Sequence, residues 1–152
     1  GSYGISRAQR IPMTPELEEN VRLYNEKINE LINKTIPNGF HILQEHRLPM
    51  HHDHDLVLNM ALQEGNWYHF AFIGDPSSNR IRATLFLEGF GDLIQDKIVV
   101  RREHEFWTEF SFVCQQSGMY ELRLLQRAEI AKPLAYLVVF QKDIPKLSAA
   151  NQ

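Results

Sequence analysis

Along this chain the pattern of apolar and polar positions changes period once. Between residues 15 and 34, Leu17, Val21, Tyr24, Ile28 and Leu31 recur at spacings of four and three, with Ile32 beside them. That repeat predicts a helix of about five turns with one apolar stripe. Thr14 can cap it, Pro15 suits its first position, and Glu16, Glu18 and Glu19 complement the positive end of its dipole. Pro37-Asn38-Gly39 stops it. The stripe spans barely two and a half heptads, so packing onto its own domain is favoured over a coiled coil.

From residue 40 onward the period is two. Leu56, Leu58, Met60 and Leu62 fall on one face of a predicted strand. In "NWYHFAFIG", Tyr68, Phe70 and Phe72 share one face, and Trp67, His69, Ala71 and Ile73 the other. Ile81, Ala83, Leu85 and Leu87 oppose Arg82, Thr84 and Glu88. Phe106, Phe110, Phe112 and Cys114 oppose Glu105, Trp107, Glu109 and Ser111. Tyr120, Leu122 and Leu124 point inward, with Glu121 and Arg123 outward. "LAYLVVFQK" is apolar on both faces, the mark of a central strand. Turns are predicted at Glu64-Gly65-Asn66, at "GDPSSNR" (read as a hairpin loop), at "EGFGD" and at Ser117-Gly118.

Seven or eight strands with no helices between them predict an antiparallel, jelly-roll-like β-sandwich preceded by one amphipathic helix. The chain of 152 residues divides into an arm (1–13), the helix (14–36), the sandwich (37–145) and a tail (146–152). Leu58, Phe70, Leu85, Phe110, Phe112, Leu122 and Tyr136 are the expected core between the sheets. The helix is expected to cover the face bearing Trp67 and Trp107.

Composition narrows the partners. A formal net charge of −3 offers no basic field for nucleic acid or anionic lipid. No apolar run reaches the ~20 residues of a membrane span. The single cysteine, Cys114, lies in an alternating apolar run and reads as a buried hydrophobe. The start "GSYGIS" lacks an initiator methionine, as in a trimmed chain or one whose export signal has been removed.

Candidate chemistry concentrates in "MHHDHDL" at residues 50–56. Imidazole and carboxylate ligate divalent transition metals, and on a strand His52 and His54 share one face. A His-x-His pair of this kind resembles a cupin metal site, with His69 or His104 as a further ligand. The glutamate that such a site needs after the second histidine is missing. The reading favoured on pattern is a solvated connection needing no cofactor, with a divalent metal at His52 and His54 as the alternative. Trp67, His69 and Trp107 are the candidates for binding a protein or carbohydrate ligand.

The stretch "LQEGNWYHFAFIGDPSSNRIRATLFLEG", followed by "SGMYELRLLQR", resembles the bacterial pre-peptidase C-terminal type of β-sandwich. The likeness lies in Gly65, Tyr68 and Phe70, in Leu85 and Leu87, and in Ser117, Gly118 and Tyr120. Arg80, Ile81 and Arg82 stand where that family carries acidic residues, which argues against its calcium site. The resemblance implies a periplasmic or secreted bacterial module with a binding or accessory role and no catalytic residues. Three functions follow as expectations: such a non-catalytic module, a small metal-dependent β-barrel enzyme using His52 and His54, or an assembly protein self-associating through its helix.

Overall fold

The computed structural model describes residues 13–51, 54–89, 91–100 and 105–144. Helix α1 runs Pro15–Thr35. The Thr14 hydroxyl oxygen accepts the Leu17 N–H at 3.2 Å, and Pro15 occupies the first turn. A single 3-10 turn over Ile36–Asn38 follows. The chain leaves it through Gly39 at φ +91°, a conformation that favours glycine.

Among the described residues eight strands follow: β1 (His41–Arg47), β2 (His54–Leu62), β3 (Asn66–Ile73), β4 (Ser78–Leu87), β5 (Asp92–Val100), β6 (Trp107–Val113), β7 (Gly118–Ala128) and β8 (Tyr136–Asp143). They form two antiparallel sheets, ordered β1-β8-β3-β6 and β2-β7-β4-β5. This is the order of a jelly roll, two Greek keys folded face to face.

The core between the sheets comes from alternate residues on each strand. Tyr68, Phe70 and Phe72 of β3 meet Ile81, Leu85, Leu122 and Leu124 of the other sheet, and Phe70 stacks on Phe110 at 4.9 Å. A second core lies on the outside of the β1-β8-β3-β6 sheet, under α1. There Tyr24, Ile28 and Leu31 pack on Ala71, Ile73, Val138 and Phe140. Burial of each such side chain stabilises the docked helix by roughly 1.5–3 kcal/mol. Strand β8 is apolar on both faces because it sits between these two cores.

Several expectations require correction. Tyr136 belongs to the core under α1, not to the one between the sheets, because the inward residues of β8 are Leu137 and Val139. Phe106 joins the helix-side core too, since β6 starts only at Trp107 and alternation does not govern the residue before it. Leu58 and Phe112 are only half-buried against the central core, although Met60 and Leu62 on β2 and Phe110 on β6 are buried in it. All but Met13 of the expected arm (1–13), and the whole expected tail (146–152), lie outside the described residues.

"GDPSSNR" is not a hairpin loop. It carries the chain from β3 in one sheet to β4 in the other, and Gly74, Asp75 and Pro76 are buried. A polar pin holds it. The fully buried Gln126 accepts the Asp75 N–H at 2.6 Å and the Ser78 hydroxyl through Oε1, and its Nε2 donates to the Leu134 carbonyl at 3.0 Å. Asp75 in turn accepts the Ser77 and Leu134 N–H groups at 2.9 and 3.0 Å. No buried side-chain nitrogen or oxygen of this pin lacks a hydrogen-bond partner, as burial demands. By contrast, "EGFGD" joins β4 to β5 within one sheet as expected.

Candidate functional site

His52, Asp53 and His104 lie outside the described residues. His54 opens β2 opposite Gln126, and Asp55 follows opposite Leu125. The expected solvated connection therefore ends two residues earlier than alternation suggested, because β7 is long enough to pair with both His54 and Asp55. Among the described residues no three His, Cys, Asp or Glu side chains converge as metal ligands.

Trp67 and Trp107 do not form one platform. Trp67 pairs with Val113 and Trp107 with Ile73, so six residues of strand, roughly 20 Å, separate them. The helix covers their face only in part. Trp107 is half-buried beneath the Lys27 ammonium, 3.7 Å from its ring centre. Trp67 stays 37% exposed, edge-on to Phe40 at 5.7 Å.

His69 is better integrated. Its Nδ1 lies 2.5 Å from Ser111 Oγ and its Nε2 3.0 Å from Glu109 Oε1, while Lys34 of α1 reaches the other Glu109 oxygen at 2.8 Å. With Nε2–H donated to Glu109, Nδ1 accepts the Ser111 hydroxyl. Burial raises the Glu109 carboxyl, but the bonds from His69 and Lys34 outweigh it and hold it below its ordinary value. The order Ser-His-Glu is that of an acyl-transfer triad. Here, however, the acid is shared with Lys34, and the cluster fastens the last turn of α1 to β3 and β6. Of the apolar stripe of α1, Tyr24, Ile28 and Leu31 are buried on its own sheet, whereas Leu17 and Val21 lie outside that core and are half-buried.

Among the described residues no helix lies over the other sheet. Its outer face bears a groove of about 260 Å³ lined by Asp55, Arg80, Arg82, Thr84, Phe86, Arg123, Leu125 and Arg127. Alternation builds it. Arg80, Arg82, Thr84 and Phe86 are outward positions of β4, and Arg123, Leu125 and Arg127 are outward positions of β7. The β4–β7 register sets Arg80 directly opposite Arg127 and Thr84 opposite Arg123.

The groove's cations are oriented. Arg82 donates twice to Asp96, each at 2.9 Å, which holds that carboxyl low. Arg123 donates to Glu121 at 2.8 Å and lies over the Phe86 ring at 5.3 Å. Arg80 Nε is buried with no acceptor among the described residues. A second depression, lined by Phe86, Leu87, Glu88, Gly89, Gly91, Glu121 and Arg123, continues the first along the strands, because Phe86 and Arg123 line both.

Sequence reasoning missed this groove. Alternation marked Arg82 and Arg123 as outward, but nothing local says that β4 and β7, some forty residues apart, lie side by side. Compared with protein-family models and with curated proteins, the sequence matches none of them.

Proposed function

We propose that the chain is a non-catalytic binding module, an accessory part of an exported bacterial protein, and that its ligand surface is the outer face of the β2-β7-β4-β5 sheet. One observation carries the reading: the two outer faces of the sandwich are treated differently. The face of the β1-β8-β3-β6 sheet is occupied by α1 and a second core. Among the described residues nothing covers the opposite face, and large apolar side chains stand on it: Val57, Leu93, Ile98 and Met119 are each between 45% and 57% exposed. These flank a groove with several convergent charged groups. Apolar surface rimmed by polar groups is what binding sites present. The placement in an exported bacterial protein rests on the resemblance to pre-peptidase C-terminal domains alone.

The test is a titration of 15N-labelled protein with a panel of soluble polysaccharides and extended peptides, followed by NMR. The expected outcome is that amide shifts cluster on β4, β7 and β2. Shifts that cluster on α1, or no shifts with any member of the panel, would refute the assignment of this face.

A further inference from the structure

Resting on that reading of the face, we infer that without a ligand it docks against the same face of a second copy of the chain, sheet on sheet about a two-fold axis, so that self-association and ligand binding compete for one surface. The first argument is where the apolar side chains stand. Of the six large apolar side chains at least 45% exposed among the described residues, four belong to this face: Val57, Leu93, Ile98 and Met119. The register fixes three of them relative to one another. Val57 pairs with Arg123, Arg123 with Thr84, and Thr84 with Asp96, which makes one row across the sheet. On β4, Arg82 and Phe86 lie two positions to either side of Thr84, and their partners on β5 are Ile98 and Leu93. A two-fold axis lying along that row therefore brings Ile98 against the second copy's Leu93, twice, and Val57 against its own counterpart. A two-fold interface demands this self-complementarity.

The second argument is charge. Among the described residues this face and its rim carry four arginines, Arg80, Arg82, Arg123 and Arg127, and four acids, Asp55, Glu88, Asp96 and Glu121, so it is formally neutral and does not repel its own copy. The signs are unevenly spread. On one side of the central row lie Arg80, Arg82, Arg127 and Asp55, a net +2, and on the other Glu88 and Glu121, a net −2. An axis across the strands lays the basic end of one copy over the acidic end of the other, whereas an axis along the strands would set like ends together. The two charges on the axis row are already paired within the chain, Arg123 with Glu121 at 2.8 Å and Asp96 with Arg82 at 2.9 Å, so neither meets its counterpart uncompensated.

The third argument is size. The four strands of this sheet are 9 to 11 residues long. At ordinary strand spacing and rise the face measures roughly 19 by 30 Å, or roughly 570 Å². Two copies then bury roughly 1,100 Å² between them, the low end of specific interfaces and well short of a permanent dimer. The pair is therefore weak and reversible, as a surface that also opens to a ligand requires.

The experiment follows the mass of the full chain by sedimentation over a wide dilution series, with NMR spectra of 15N-labelled protein along the same series. The mass is expected to rise from that of one chain toward that of two, and the amides that shift on dilution to lie on β2, β7, β4 and β5. Val57→Asp sets two carboxylates together on the axis, and Ile98→Asp sets one against the second copy's Leu93; each is expected to weaken the pair by about tenfold or more. Ile36→Asp, as exposed as Val57 but at the end of α1, is expected to change nothing. A circular dichroism melt checks that each variant is folded. If either Asp variant unfolds, Leu93→Ser replaces it with the same expectation. The polysaccharide and peptide panel is titrated at the dilute end, where the face is free, and a member that binds there is expected to dissociate the pair at higher concentration. The mass of one chain at every concentration overturns the inference, and panel shifts on this face then leave the ligand-surface reading standing. Assembly beyond two copies, dilution shifts on α1, a pair that the Val57 and Ile98 variants leave intact, or one that survives ligand binding also overturns it. One chain at every concentration together with no panel shifts overturns both readings.

Discussion

Replacing Gln126 by Ala tests the physical account of how the two sheets are joined. Gln126 is fully buried on β7, and its amide is the common partner of three groups: the Asp75 N–H, the Ser78 hydroxyl and the Leu134 carbonyl. The first two belong to the crossing from β3 to β4, and the third to the segment leading into β8. Removing the amide leaves all three to find new partners, and each buried group left unsatisfied costs about 1–3 kcal/mol. The Ser78 hydroxyl can rotate, and Leu134 is only half-buried, so a total of about 3–6 kcal/mol follows. Against a typical domain stability of about 5–15 kcal/mol, that is a large share. For a chain of this size it lowers Tm by about 6 °C or more.

The assay is urea unfolding followed by fluorescence of Trp67 and Trp107, reading the midpoint at unchanged slope. A loss below about 1 kcal/mol would refute the pin, because it would mean the three partners re-satisfy one another without Gln126. A second variant sharpens the test. A Cβ placed on Gly74 would lie 2.3 Å from Gln126 Oε1 and 3.1 Å from Ile81 Cγ2. Gly74→Ala should therefore be costly alone and milder once Gln126 is Ala. The double variant is expected to be more stable than additivity allows, by about 1 kcal/mol or more. Strict additivity would show that the amide does not crowd Gly74.

Other outcomes follow from the same geometry. Ile28→Asp puts a carboxylate into the core between α1 and its sheet, where Ile28 is 5% exposed, and should cost several kcal/mol, about that of a buried unpaired charge; an unchanged melting temperature would sink the docking of α1. Phe110→Ala should cost about 3–5 kcal/mol by urea unfolding, and Phe112→Ala distinctly less, because Phe110 is buried and Phe112 only half-buried; equal losses would contradict that difference in burial. The carboxyl of Glu109 is held below its ordinary value in the folded protein, so its contribution is complete above the unfolded carboxylate pKa of about 4.3 and is lost as pH falls through the lower folded value. The stability difference between the parent and Glu109→Gln should shrink on acidification through that window, and a difference independent of pH would argue against the clasp with His69 and Lys34.

The information local to each stretch of the chain sufficed for its elements. The apolar stripe of Leu17, Val21, Tyr24, Ile28 and Leu31, with Thr14 and Pro15 at its start, specifies α1, because helical periodicity and capping act within four residues. Period-two alternation specifies the strands and most inward faces, as in Ile81, Ala83, Leu85 and Leu87, because successive side chains of a strand point to opposite sides whatever its neighbours are. The double-sided apolar run of β8 even signals its central place. What local pattern leaves open is which strands meet. Whether the turn after Ile73 closes a hairpin or crosses between sheets depends on Gln126, fifty residues on, accepting the Asp75 N–H. Whether Tyr136 faces the sandwich or α1 depends on which side of β8 the helix occupies. The arginine groove exists only because β4 and β7 are paired in the register that sets Arg80 against Arg127. Strand alternation is short-range, whereas pairing is decided by the burial of two whole faces at once, and only the tertiary structure performs that sum.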